Sequence, residues 1–278
     1  MSSRSGADSS YRVALLEWEP GDGITDMIRH ELACLGHDPV CFTYGRPVPD
    51  GVDVVLSYGP YAKLLPMLRE VAGIRAEVRP TVVHWNTEGF PDLRIPLPVM
   101  GLLGDLRSWL GRLAHTDRSW VRKLGRRRPI SALDARAVRF RYVGDYRFAF
   151  RRGLIDVLAD CSQIYVGLHG RQGIPALYLP WGGSSVWCAD LGLERDIDVL
   201  WMGKRGSARR SRLLDRVRDE LRRHGVEMYV ADNEERPFAF GAERTELLNR
   251  AKITLNITRT WYDDNYLRFA LAAPNRSL

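Results

Sequence analysis

Apolar side chains along the first ninety residues fall into two alternating patterns, short continuous runs and recurrences every three or four positions. The run YRVALLE at 11–17 has the length and composition of a buried strand. It ends at Trp18, Glu19 and Pro20, and Gly21-Asp22-Gly23 then opens a helical pattern through Ile24, Met27, Ile28 and Leu32 that closes at Gly36. Further strands are predicted at 40–44, 52–57 (VDVVLS) and 81–85 (TVVHW), with a helix at 61–71 between the last two. Strands that alternate with helices in this way pair in parallel, with helices on both faces of the sheet. Later the pattern predicts a helix at 146–159, strands at 163–166 and 176–179, the turn Pro180-Trp181-Gly182-Gly183 and a polar link at 188–195. From Ile197 the alternation resumes, with IDVLWM as a strand, GKRGSARR as a loop into a helix, and VEMYVAD as a strand. ELLNRAKITLNI reads as a helix and strand, and DDNYLRFALAAPNRSL as a loop and helix. The expected fold is α/β in two domains. A polar, disordered tail at 1–10 precedes a first domain at 11–190, which carries a basic helical insertion at 100–150, and a second domain follows at 191–278.

Composition supports this size of core. With 278 residues, 45% hydrophobic and 27% charged, the chain suffices for one large or two ordinary domains. The tail MSSRSGADSS lacks the apolar stretch of a secretion signal, and no apolar run reaches the roughly 18 residues of a membrane span. A cytoplasmic location is the resulting expectation. Cys34, Cys41, Cys161 and Cys188 form no CxxC and no metal spacing with His, and read as reduced, mostly buried thiols.

The formal charge of +7 changes the picture, because it is local. Between Gly101 and Asp160 fourteen Arg or Lys face six Asp and no Glu, a net 14 − 6 = +8. Within that window Leu102, Leu106, Trp109, Leu110 and Leu113 recur at helical spacing, followed by Trp120, Val121 and Leu124 among Arg118, Arg122, Lys123 and Arg126 to Arg128. Two readings stand. Apolar burial and phosphate attraction suit an anionic membrane surface and a membrane-associated protein; alternatively, the residues form a helical pair packed on the domain with a solvated charged face. Nucleic acid is not an expected partner, since no recognisable binding module surrounds the arginines.

In open parallel sheets ligands sit outside the carboxyl ends of strands, and there the polar candidates gather. Gly21, Asp22 and Gly23 are either a tight turn or a helix start that offers N–H groups to an anion or a sugar hydroxyl. His84, Asn86, Thr87 and Glu88, in HWNTEGFPD, offer a base and hydrogen-bonding groups for an acceptor sugar, or make up a hydrogen-bonded loop around a buried histidine. Gly203-Lys204-Arg205-Gly206-Ser207-Ala208-Arg209-Arg210 places four cations and two glycines between a strand and a helix, which favours a diphosphate; the alternative is a solvated helix start with surplus arginines. It lacks GxxxxGK[ST] and is not a nucleoside-triphosphatase loop. The last loop carries Arg259, Trp261, Tyr262, Asp263, Asp264 and Asn265 before Arg268-Phe269. Its neighbouring aspartates have no third ligand at metal spacing, and sugar or ribose hydroxyls are the expected partners there.

On these residues rests a resemblance. The stretch 196–278, with DVLWMGKRGSARR, ERTELLNRAKITLNI and DDNYLRFALAAPNRSL, resembles the donor-side domain of GT-B glycosyltransferases in the spore-maturation-protein-like branch near the group 1 enzymes. Over 11–179 the likeness lies mainly in the order of elements. The resemblance implies two Rossmann-like domains, a nucleotide-diphosphate sugar as donor, no bound metal or cofactor, and a glycan, lipid or protein acceptor. It places Gly203, Lys204, Arg205 and Arg209 by the diphosphate, Glu243 and Leu247 near the nucleotide, and Asn265 and Arg268 at the border of the donor. Gly21, Asp22, Gly23, Asn86 and Thr87 fall on the acceptor side, with His84 or Glu88 as base. Where relatives carry an acidic residue directly after the Arg-Phe pair, this chain has Ala270-Leu271, so a retaining-type carboxylate is not visible. Relatives also continue beyond a segment like NRSL, which implies an incomplete second domain. The alternative function is a non-catalytic protein that binds a sugar nucleotide or another polyanion.

Overall fold

A computed structural model of the chain describes residues 10–18, 23–59, 65–89, 91–114, 138–262 and 266–278. It divides into two compact units, Met1–Leu179 and Pro180–Leu278.

The first unit is a mixed α/β layer structure around a six-stranded parallel sheet in the order β2-β1-β3-β4-β5-β6. The strands are β1 (Arg12–Glu17), β2 (Asp38–Thr43), β3 (Val54–Tyr58), β4 (Thr81–Asn86), β5 (Val157–Asp160) and β6 (Ala176–Tyr178). The helices are α1 (Gly23–Cys34), α2 (Leu65–Ala72), α3 (Leu97–Ala114), α4 (Val138–Arg151) and α5 (Gln163–Arg171). Val13 to Leu16 are all buried, as a strand covered on both faces requires. One core cluster joins Leu16, Val55, Val82 and Leu158 of the sheet to Leu68 and Val71 of α2 and Tyr146 and Ala149 of α4.

Two predicted elements differ. The helix expected at 146–159 stops at Arg151, because Gly153 takes φ 60° and the turn bonds Leu154 N–H to the Ala149 carbonyl. The chain then pairs as β5 between β4 and β6. The strand expected at 163–166 is the start of α5, whose N-cap Ser162 accepts from the Tyr165 N–H at 3.2 Å. Its buried side chains, Tyr165, Leu168 and His169, follow helical spacing. Helices α3 and α4 cross at glycine: a methyl on Gly104 would meet the Phe140 carbonyl oxygen at 2.9 Å and the Gly144 nitrogen at 3.0 Å.

The second unit holds a three-stranded parallel sheet, β8-β7-β9, of β7 (Ile197–Met202), β8 (Met228–Ala231) and β9 (Ala251–Thr254). Its helices are α6 (Ala208–Arg223), α7 (Gly241–Arg250) and α8 (Leu267–Ala272). Val199, Trp201, Leu214, Met228 and Val230 form its core. Leu278 exchanges two backbone hydrogen bonds with Lys252 and Thr254 along the outer edge of β9.

The division falls at Pro180 rather than at 190, for a reason visible in two buried asparagines. Asn275 donates to the Trp187 carbonyl at 3.1 Å and Asn249 to the Ala189 carbonyl at 2.8 Å. Their amide oxygens accept from the N–H groups of Ala189 and Leu191. These bonds tie the backbone of the segment that read as a linker, whose residues 189–194 are exposed, to the second unit, where Trp181 and Trp187 are buried. All four cysteines are free thiols, as expected, yet only Cys161 is buried.

Candidate functional site

At the carboxyl edge of the second sheet the loops after β7, β8 and β9 come together, because parallel strands release their connections at one end. The loop after β7 is built on two left-handed glycines, Gly203 at φ 111° and Gly206 at φ 67°. At Gly203 a side chain is strained by the backbone angle and would press on Arg268 Nη2, 3.0 Å from where a Cβ would stand. Ser207 caps α6, its Oγ accepting from the Arg210 N–H at 3.2 Å and donating to the Arg259 carbonyl at 3.0 Å. The N–H groups of Ala208 and Arg209 therefore open the helix with no carbonyl four residues back within it.

Cations ring this turn, each held differently. Lys204 is exposed. Arg209 reaches across to the Thr258 carbonyl at 2.8 Å, bridging the loops after β7 and β9. Arg268 donates to the Met202 carbonyl at 2.9 Å and lies 4.4 Å over the ring of Trp201, while Arg210 approaches the same ring at 5.6 Å. The indole of Trp201, wholly buried, thus serves as a platform that orients two guanidiniums. Arg259, from the loop after β9, lies beside Gly206.

Arg205 departs from its expected role. Its guanidinium hydrogen-bonds Asp215 at 2.7 Å, Asp232 at 2.8 Å and Glu235 at 3.3 Å, so its charge is consumed by acids. The Asp215 bond, followed by that to Asp232, holds the guanidinium pKa well above its usual value. Burial alone would raise Asp232, but the N–H groups of Glu235 and Glu234 and the Arg205 guanidinium outweigh it and lower the carboxyl pKa. Arg205 thus ties the loop after β8 to α6, its guanidinium directed at three acids.

In the first unit the carboxyl ends of β3, β4 and β5 converge on a buried polar cluster. His84 lies within β4, is 0% exposed and bonds Ser57 Oγ through Nδ1 at 2.9 Å. Burial strips its basicity, lowering the pKa from 6.5 to about 3. His84 is therefore a neutral core histidine and not the base of an acceptor hydroxyl. Asn86 is also spent. Its amide donates to Asp160 at 2.7 Å and to the Glu88 carbonyl at 3.1 Å, and its oxygen accepts from the Tyr146 hydroxyl at 2.6 Å and the Glu88 N–H at 3.1 Å. Four bonds exhaust a side-chain amide, which leaves none for a ligand. Asp160, shared with His169 at 3.1 Å, is pushed up by burial despite those donors. Thr87 and Glu88, half-buried just past β4, are the members of the expected set that remain reachable.

Glu243 is exposed in the first turn of α7, and Leu247 is buried against the core. Gly23 begins α1, whereas Gly21, Asp22 and Asn265 lie outside the described residues, as do Trp120, Val121 and Leu124. Two contributors were not among the expected site residues: Trp201, which reads as an ordinary strand residue, and Asp232, whose only sequence signal is its place directly after β8. Comparison with protein-family models, with curated proteins and with solved structures gives no match to this chain.

Proposed function

We propose that the chain is a glycosyltransferase-family protein of GT-B type, with two Rossmann-like domains, whose second unit takes the diphosphate of a nucleotide-diphosphate sugar. One observation carries the reading: Lys204, Arg209, Arg259 and Arg268 surround a glycine turn and a helix start at the carboxyl edge of β7, while among the described residues Asp215, Asp232 and Glu235 are occupied by Arg205. Charge-assisted bonds from such groups fit the two phosphates. During transfer, negative charge grows on the departing nucleoside diphosphate, and fixed N–H groups and guanidiniums stabilise it without reorganising. Glu88 is the remaining candidate base from the expected set, and a metal has no part in the scheme.

Titration calorimetry with UDP and GDP tests the site. Lys204→Ala with Arg209→Ala is expected to weaken diphosphate binding at least about tenfold, since each charged hydrogen bond is worth about 1.5–3 kcal/mol. Unchanged affinity with intact folding refutes the site. The loss of His84 as a base favours a second reading, a protein that binds a sugar nucleotide without transferring it. Release of radiolabelled sugar from its nucleotide separates the two: binding with neither hydrolysis nor transfer selects the non-catalytic form.

A further inference from the structure

Helix α3 turns the usual arrangement of a surface helix inside out. Its buried side is small and polar, with Gly101, Gly104, Arg107 and Ser108 beside Met100. Its outer side carries Val99, Leu102, Leu103, Leu106 and Trp109, with Leu102 70% and Trp109 51% exposed. At 100° per residue these five fall on one stripe, which runs about 15 Å along the axis. The crossing with α4 contributes: backbones that meet at Gly104 and Gly144 leave no room for a larger side chain at those positions, while Met100 packs on Val143 of α4. A stripe of this kind on a described surface calls for an apolar cover.

The charges beside the stripe indicate what that cover is. The one carboxylate of α3, Asp105, is paired with Arg147 at 3.4 Å. A cleft beside Asp105 is lined also by Gly144, Phe148, Arg151 and Arg152, which sets two exposed arginines at the end of α4 near this side of the helix. The chain that continues from α3 through 115–137 holds seven Arg or Lys against two Asp, a net 7 − 2 = +5. Leucines contribute nothing to a nucleic-acid phosphate. No helix among the described residues is long and apolar enough to cross a membrane. We propose that the outer face of α3 lies in the interface of an anionic lipid bilayer, with Trp109 at headgroup depth and Arg151 and Arg152 on lipid phosphates. This surface is independent of the diphosphate site.

Flotation of the full chain with vesicles of phosphatidylcholine alone, or mixed with phosphatidylglycerol, tests the assignment. Expected is binding to the mixed vesicles that weakens in high salt, with little binding to the neutral ones. Leu102→Ser, Leu106→Ser and Trp109→Ser together are expected to lower the partition coefficient at least about 30-fold, and Arg151→Gln with Arg152→Gln about tenfold. The substituted side chains point outward, so circular dichroism and the unfolding midpoint should hold. If the triple variant misfolds, brominated lipid decides the matter by quenching a tryptophan signal that disappears in Trp109→Phe. Absence of flotation, equal flotation of a folded triple variant, or equal binding to neutral vesicles overturns the assignment. So does a dimer that forms through this face without lipid binding.

Discussion

Replacing Arg205 separates a structural arginine from a ligand-binding one. Arg205→Met keeps most of the stem and removes three ionic hydrogen bonds, to Asp232, Asp215 and Glu235. Asp232 dominates the cost, since its side chain is 0% exposed while that of Asp215 is 52% exposed. Breaking a buried pair costs about 3–5 kcal/mol. The two N–H groups from Glu234 and Glu235 still serve the Asp232 carboxylate, which lowers the expectation to about 2–3 kcal/mol. The more exposed pairs add less than about 1 kcal/mol each. Urea unfolding of wild type and variant measures the loss, and Arg205→Met with Asp232→Asn should recover part of it by removing the stranded charge. Diphosphate affinity, measured below the unfolding transition, should change less than about threefold, against at least about tenfold for Lys204→Ala with Arg209→Ala. A variant of wild-type stability that loses diphosphate binding would refute the structural role.

Stability of the first unit should fall with acid. Folded His84 titrates near 3 against 6.5 when unfolded, so between those values the unfolded chain binds more protons. The stabilisation is present above about pH 6.5 and drains away toward pH 3, by roughly 4–5 kcal/mol in all. His84→Gln, which has nothing to protonate, should flatten that limb in urea titrations at successive pH; an unaltered limb would show that other groups cause it. Gly144→Ala drives a methyl into the Gly104 carbonyl and should cost at least about 2 kcal/mol as α3 and α4 part, read as a drop of several degrees in the unfolding midpoint. An unchanged midpoint would refute the glycine crossing.

The sequence by itself determined the elements and their direction. Unbroken apolar runs such as ALL in β1 and VLWM in β7 specify strands covered on both faces, and the intervening helices oblige parallel pairing. It also located the cations after β7, because glycine and arginine between a strand and a helix are local facts. Tertiary structure alone decided which cations are free. Arg205 and Lys204 are neighbours in the chain, yet Asp232 and Asp215, reached through the β7–β8 pairing and one turn of packing, neutralise the first and not the second. The same holds for His84, which period-2 patterning cannot distinguish from a loop residue at a strand end, and whose basicity is set by the burial that Ser57 and Tyr146 impose. It holds also for α3, where periodicity shows a stripe but only the glycine contact with α4 shows that the stripe faces out. Periodicity is a property of neighbours along the chain; charge state and exposure depend on groups that only folding brings within a few ångströms.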